Sequence, residues 1–228
     1  MPDPYLNVDG LKPETTEAII TRLEERGCHP FFLSAINSYA AALPRDRKLN
    51  ILELGCGTGV VLRHVETIVD SSCELIGADI SEKLLAAART YSPENSKIRW
   101  DFVAPSGALP YADGYFDVII MHTLLSHVPE IHAILCEAHR VLRPATDSRL
   151  IIFDADHAST TYSLPDFATT RETDLKLVSA ISTHPAICRQ LPVSKSFFIS
   201  CFIFLPNVPN MRQLSGTPQT LWLHTSVS

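Results

Sequence analysis

The sequence lacks several features that would place it in a common functional class. It contains no CxxC pair, and its six cysteines are scattered from Cys28 to Cys201, which argues against a zinc site and a disulfide framework. Its net charge is -6 and its pI about 5.8, so no basic excess suggests nucleic acid or an anionic membrane as a partner. This balance favours a small neutral or cationic ligand.

Long apolar runs are also missing. The longest, FFISCFIFL at 197–205, is too short to span a bilayer, and the first ten residues have neither the basic nor the apolar segment of a secretory signal. We therefore predict a cytoplasmic protein with no membrane or nucleic-acid partner. The length of 228 residues, 46% of them hydrophobic, suits one compact domain.

Strand-like and helix-like segments alternate from about residue 48 to residue 155. This alternation predicts an α/β fold with a doubly wound, mainly parallel sheet. Two helices broken at Gly27 and Pro30 precede it. The predicted strands are NILEL, CELIGADI, KIRWDFV, FDVIIM and RLIIFDA.

Three glycines follow the first predicted strand within five residues, in GCGTG at 55–59. Glycine has no Cβ and accepts positive φ, so a ligand can approach the main chain closely there. The alternative is a tight turn with no ligand. A dinucleotide fingerprint would need a third glycine where Val60 stands, so that spacing fails.

The run from Glu53 to Gly59, acidic-x-Gly-x-Gly-x-Gly, resembles the first motif of class I S-adenosylmethionine (SAM)-dependent methyltransferases. The segments around residues 109–130 and 137–156 resemble the family's fourth and fifth strand regions, and the small-molecule branch that includes quinone-biosynthesis enzymes is the most similar. The resemblance implies a Rossmann-like methyltransferase fold, in which the glycine loop lies against the amino-acid part of SAM.

Asp79, which ends the second strand, could accept both ribose hydroxyls of SAM, or could cap the next helix beside Ser81. In relatives an acidic residue binds the adenine amino group. This chain has Ala104, Pro105 and Ser106 at that place. Asp101 could substitute only in a shifted register. The resemblance implies cofactor contacts from Tyr5, Glu53, Gly55, Cys56, Gly57, Gly59, Asp79, Ile80, Ser106 and His122.

His122 and His127 are the candidate catalytic residues, because both fall at the carboxyl edge and an imidazole can act as a base near neutral pH. Alternatively, His122 contributes mainly backbone contacts and His127 orients a loop. His157 is a third candidate. Tyr5 resembles an N-terminal tyrosine that folds over SAM, or is a tyrosine in a mobile arm.

We predict three regions: an N-terminal helical lid at 1–47, a SAM-binding core at 48–192 and an atypical tail at 193–228. The family resemblance stops at Val193, where relatives continue with a helix and an antiparallel strand pair. Either the tail is an altered reading frame and the last strands are missing, which leaves an unpaired sheet edge, or it is a divergent folded tail in which 197–205 supplies one strand.

The predicted function is methyl transfer from SAM to a small organic acceptor, with no metal. One rival is a non-catalytic SAM-binding relative with a defective C-terminus. Another is an NAD(P)-dependent oxidoreductase. The sequence does not identify the acceptor or the oligomeric state.

Overall fold

The computed structural model describes residues 3–105, 108–155 and 199–204. Two short 3-10 segments, Pro4–Gly10 and Leu125–His127, accompany the regular elements. The helices and strands, in chain order, are α1 Pro13–Gly27, α2 Pro30–Ala40, β1 Asn50–Leu54, α3 Val60–Glu66, β2 Glu74–Asp79, α4 Glu82–Tyr91, β3 Arg99–Phe102, β4 Val118–His122, α5 Ile131–Val141, β5 Arg149–Ala155 and β6 Ile199–Phe204.

The six strands form one sheet in the order β3-β2-β1-β4-β5-β6. The first five run parallel and β6 runs antiparallel to β5. The predicted doubly wound, mainly parallel sheet is confirmed. The strand order reverses between β1 and β4, so a crevice is expected where the carboxyl ends of these two strands separate.

Strand β6 pairs with six of the seven residues of β5, from Leu150 opposite Phe204 to Ala155 opposite Ile199. The backbone of 199–204 therefore supplies the strand that one of the two interpretations of the tail required, and the expected unpaired edge at β5 is not found. The rest of the tail, at 193–198 and 205–228, lies outside the described residues.

Side chains of each central strand alternate between two apolar clusters on the two faces of the sheet. In β1, for example, Ile51 joins the cluster that packs on α2 and α3, whereas Leu52 joins the cluster that packs on α5. Because helices cover both faces, β4 is buried along its whole length. This explains the unbroken apolar run in the sequence of β4.

The N-terminal segment is fastened to the start of α4. The Asp9 carboxylate accepts hydrogen bonds from the Ser81 hydroxyl at 2.6 Å and from the N–H groups of Glu82 and Lys83 at 3.0 and 3.2 Å. Ser81 Oγ in turn accepts from the N–H of Leu84, so Ser81 is the N-cap, as predicted. These bonds hold the segment that carries Tyr5 beside the carboxyl edge of the sheet.

Helices α1 and α2 pack on α3 and precede the sheet. The division into lid, core and tail remains a prediction. Among the helices that the structure describes, none has the length and apolar character needed to cross a bilayer.

Candidate functional site

A cavity of about 400 Å³ opens at the carboxyl edge of the sheet, where the strand order reverses. Its size lies within the usual range for small-molecule sites. Two groups of lining residues, called walls below, are distinguished by the elements that supply them. The glycine-loop wall consists of residues 53–58 with Asp79 and Ile80, and the lid wall consists of Arg26, Phe32, Ile36, His122 and Thr123.

The three glycines of the loop have positive φ values of 69°, 54° and 79° for Gly55, Gly57 and Gly59. Only Gly57 leaves its missing side chain open to the cavity, because a Cβ there would meet nothing nearer than Leu23 Cδ1 at 3.5 Å. A Cβ on Gly55 would lie 2.5 Å from Leu124. Gly57 is therefore the position where a ligand can lie against the main chain.

Gly59 has a packing role in the structure. It caps the start of α3 and does not line the cavity. A Cβ at Gly59 would lie 2.3 Å from the Trp100 ring, and a Cβ at Gly77 in β2 would lie equally close to the same ring. One indole thus fills the space above two glycines, and the cofactor contact of Gly59 stays a prediction.

Asp79 holds the glycine loop in place. Its carboxylate accepts the Gly57 N–H at 2.8 Å and the Ser81 N–H at 3.0 Å. Burial raises the pKa of Asp79, and these N–H donors act against that rise. The helix-cap alternative does not apply, since Ser81 is the cap. A carboxylate has about four acceptor positions, so Asp79 retains capacity for a ligand hydroxyl.

Glu53 is 2% exposed and lines the cavity. Its Oε2 atom has no hydrogen-bond partner among the described residues. Burial raises the pKa of Glu53 well above its usual value, and the nearby Asp79 charge raises it further. A buried acceptor without a partner is rare and indicates that a ligand supplies the donor.

The cavity has a further, apolar part of its lining, formed by Val103, Ala104, Pro105 and Leu109. This is the sequence region in which relatives of the predicted family bind adenine. Asp101 does not take part: it accepts hydrogen bonds from Arg99 and Tyr111 and does not line the cavity. The shifted register is therefore not found. Ser106 lies outside the described residues.

His122 is brought into the lid wall, with 6% of its surface exposed. Its Nδ1 atom lies 3.1 Å from the Tyr39 hydroxyl, and its ring stacks on Phe153 at 4.5 Å. Burial, and secondarily the Arg26 charge, lower the pKa of His122 to about 3. His122 is consequently neutral near pH 7 and is a weaker base than the sequence prediction assumed; its catalytic role stays a prediction.

Tyr5 and His127 meet above the cavity and both line it, with ring centroids 4.7 Å apart. His127 Nδ1 lies 2.9 Å from an Asp3 carboxylate oxygen, and burial lowers the pKa of His127. The Arg22 guanidinium lies 5.4 Å from the centre of the Tyr5 ring and donates to its hydroxyl. Tyr5 is thus placed at the site, as predicted, while a contact with SAM remains a prediction. His157 lies outside the described residues.

The sequence analysis missed Arg26 and Thr123. Arg26 ends α1, and its Nη2 donates to Thr123 Oγ1 at 3.2 Å while its Cζ lies 5.2 Å from the centre of the Phe32 ring. Thr123 follows β4 with a φ of 53°, an outlying value for a β-branched residue. No sequence motif marks either residue, because the contact joins positions 97 residues apart.

Comparison with known proteins agrees with this geometry. A family model described as "Methyltransferase domain" matches residues 52–147. The demethylmenaquinone methyltransferase of Tropheryma whipplei is 35% identical over 107 residues, which cover 47% of this chain and 42% of the relative. The ubiquinone/menaquinone biosynthesis C-methyltransferase of Methylobacterium nodulans is 30% identical over 140 residues, 61% of this chain and 54% of the relative.

The chain thus spans about half the length of these curated relatives or less. Among solved structures, a SAM-dependent methyltransferase from Aquifex aeolicus superposes with a TM-score of 0.54 at 19% identity, covering 72% of this chain and 86% of the other. This likeness shows the shared fold.

Proposed function

We propose that the chain is a class I SAM-dependent methyltransferase of the small-molecule branch, because a methyltransferase-domain model matches residues 52–147 and the curated relatives carry methyltransferase names. In this proposal it binds SAM against the glycine-loop wall and transfers the methyl group to a small organic acceptor beside the lid wall. The observation that carries the proposal is the open backbone at Gly57, held by the Asp79 carboxylate and flanked by Glu53, whose Oε2 atom accepts no hydrogen bond from the described residues.

The residues of the glycine-loop wall fit SAM. Glu53 Oε2 and Asp79 line the cavity with acceptor positions for the ammonium and hydroxyl groups of such a ligand, and its positive charge would favour the ionised carboxylates that burial opposes. The apolar end at Val103, Ala104 and Leu109 offers a surface for a flat base. A Gly57 side chain would fill the space in which the ligand meets the main chain.

When bound, SAM supplies an electrophilic methyl group on a positively charged sulfur. The acceptor loses its proton to solvent or to a base, its electron pair forms the new bond to the methyl carbon, and the electron pair of the broken carbon–sulfur bond stays on sulfur. The chain contributes alignment and exclusion of water, because Tyr5, Phe32 and Ile36 close the cavity above the glycine loop. His122 accepts a proton only weakly, since its pKa is low.

The names of the curated relatives support a carbon or oxygen nucleophile on a small metabolite, and we keep a cytoplasmic location as part of the proposal. An inactive SAM-binding relative would show the same cofactor binding without turnover on any acceptor. An NAD(P)-dependent oxidoreductase would bind NAD in preference to SAM.

The test is calorimetric titration of the chain with S-adenosylhomocysteine, SAM and NAD. We expect S-adenosylhomocysteine and SAM to bind in the micromolar range or tighter and NAD to bind far more weakly. In Gly57→Val, binding is expected to fall at least about a hundredfold, because the new side chain occupies the ligand's place and the backbone there has positive φ.

The matched control is Gly114→Ala. Gly114 also has positive φ, at 66°, but lies in a turn remote from the cavity. This variant should lose some stability and keep its affinity for S-adenosylhomocysteine. Unchanged binding in Gly57→Val, or preferential binding of NAD by the wild type, refutes the proposal.

A further inference from the structure

Arg26 carries a positive charge into the lid wall. Arg26 lines the cavity, and its guanidinium donates to Thr123 Oγ1 and lies 5.2 Å from the centre of the Phe32 ring. The hydrogen bond to Thr123 Oγ1 engages one of its five N–H donors. The remaining donors are available to a molecule in the cavity.

No carboxylate of the described residues forms an ion pair with this guanidinium. Asp154 and Tyr5 favour its charged form from a distance, whereas Arg22 and burial oppose it, and burial has the largest effect: it lowers the pKa of Arg26. A half-buried cation without an ion-pair partner carries a desolvation cost, and an anionic ligand reduces that cost.

The two walls of the cavity therefore have opposite charge character. Glu53 and Asp79 stand on the glycine-loop wall, and Arg26 stands on the lid wall beside the neutral His122. The proposed cofactor carries its sulfonium to the acidic wall. The molecule that lies against the lid wall meets a guanidinium and the aromatic rings of Phe32 and His122.

We propose that Arg26 is a specificity-determining residue that binds an oxyanion, such as a carboxylate, on a planar aromatic methyl acceptor. This inference rests on the proposed function for the location of the acceptor. Arg26 offers paired N–H donors that match the two oxygens of a carboxylate, and Phe32, which also lines the cavity, gives an apolar aromatic surface beside the ring that bears it. The methionyl carboxylate of the cofactor is the competing source of the same chemistry.

The experiment uses the full chain saturated with S-adenosylhomocysteine and two probes, 2-naphthoate and its neutral analogue 2-naphthamide. We expect the wild type to bind naphthoate about ten to a hundred times more tightly than naphthamide, the range of a charge-assisted hydrogen-bonded pair. In Arg26→Met this preference should disappear. Arg26→Lys should keep part of it, because the charge remains and the paired geometry is lost.

Arg45→Met is the matched control. It removes an exposed guanidinium that does not line the cavity, so the preference for naphthoate should persist. If Arg26→Met fails to fold, the comparison of Arg26→Lys with Arg45→Met still measures the loss.

S-adenosylhomocysteine affinity separates the two sources of the carboxylate. Under the proposal it changes less than about threefold in Arg26→Met. A loss of tenfold or more, with 5′-methylthioadenosine unaffected because it lacks the carboxylate, would assign Arg26 to the cofactor and overturn the proposal. So would equal binding of the two naphthalene probes by the wild type. Failure of the wild type to bind S-adenosylhomocysteine refutes the proposed function instead.

Discussion

The two walls of the cavity are built in different ways. The glycine-loop wall comes from one strand-to-helix turn and the end of the neighbouring strand, and it presents backbone and two carboxyl groups. The lid wall is assembled from side chains of α1, α2 and the end of β4, elements separated by up to 97 residues. A wall made of backbone keeps its shape when side chains change, so it suits a ligand that many proteins share. A wall made of side chains can come to bind a different ligand after a single substitution.

The walls also differ in how their polar groups are satisfied. Asp79 is tied to two backbone N–H groups, so its position is fixed by the fold itself. Among the described residues, Arg26 donates a side-chain hydrogen bond to Thr123, and His122 shares one with the Tyr39 hydroxyl. Substitutions on the first wall should therefore disturb cofactor binding, whereas those on the second should leave it intact.

Asp79→Asn should give the largest loss of cofactor affinity, because Asp79 holds the glycine loop. The amide cannot accept at both positions, so either the loop or the ribose loses a charge-assisted bond, and we expect S-adenosylhomocysteine affinity to fall about ten- to a hundredfold. Stability should change less, because the buried charge is removed at the same time. Calorimetric titration and chemical denaturation measure the two effects.

Asp101→Asn is the control for this prediction. Asp101 is the other acidic residue that the sequence offered for a cofactor contact, and it binds Arg99 and Tyr111 outside the cavity. Its variant should keep wild-type affinity for S-adenosylhomocysteine. A loss equal to that of Asp79→Asn would mean that the cofactor contacts the edge of β3.

The low pKa of His122, in the lid wall, makes the free energy of unfolding depend on pH. In the unfolded chain the imidazole takes up a proton near pH 6.5, but in the folded chain it does so only near pH 3. Between these values the unfolded state binds more protons, so the free energy of unfolding falls as the pH falls, by up to about 1.4 kcal/mol per pH unit from this residue.

His122→Gln should remove this contribution and flatten the dependence of stability on pH between about 6 and 4, as measured by denaturation at several pH values. His139→Gln, on the exposed side of α5, serves as the control and should keep the wild-type slope. An unchanged slope in His122→Gln would show that the imidazole is not buried as a neutral group.

Tyr39→Phe should have the smallest effect, and it tests whether a change behind the lid wall lowers stability without changing cofactor affinity. It leaves His122 Nδ1 without its hydroxyl partner, at an expected cost of about 1 kcal/mol in the free energy of unfolding. Affinity for S-adenosylhomocysteine should stay constant, because Tyr39 does not line the cavity. Tyr91→Phe, at an exposed tyrosine, is the control and should change neither stability nor affinity. A change in cofactor affinity for Tyr39→Phe would show that the lid wall affects cofactor binding.

The same contrast explains what the sequence could predict. The mainly parallel sheet, the loop and Asp79 follow from local signals: apolar runs, glycine spacing and a carboxylate at a strand end. The tertiary pairing of Arg26 with Thr123 has no local signal, and neither does the burial that makes His122 a poor base. Glycine spacing alone also does not tell that the missing side chain of Gly57 faces the cavity and that of Gly59 faces an indole.

The position of Trp100 over Gly59 and Gly77 has an evolutionary consequence. The three residues lie on a helix start and two different strands, yet neither glycine can gain a side chain while the indole is in place, since a Cβ at either one would lie 2.3 Å from the ring. A larger residue at position 59 or 77 becomes acceptable only after the indole has been replaced by a smaller side chain. The three sites form an epistatic unit, and in descendants of this protein they should covary.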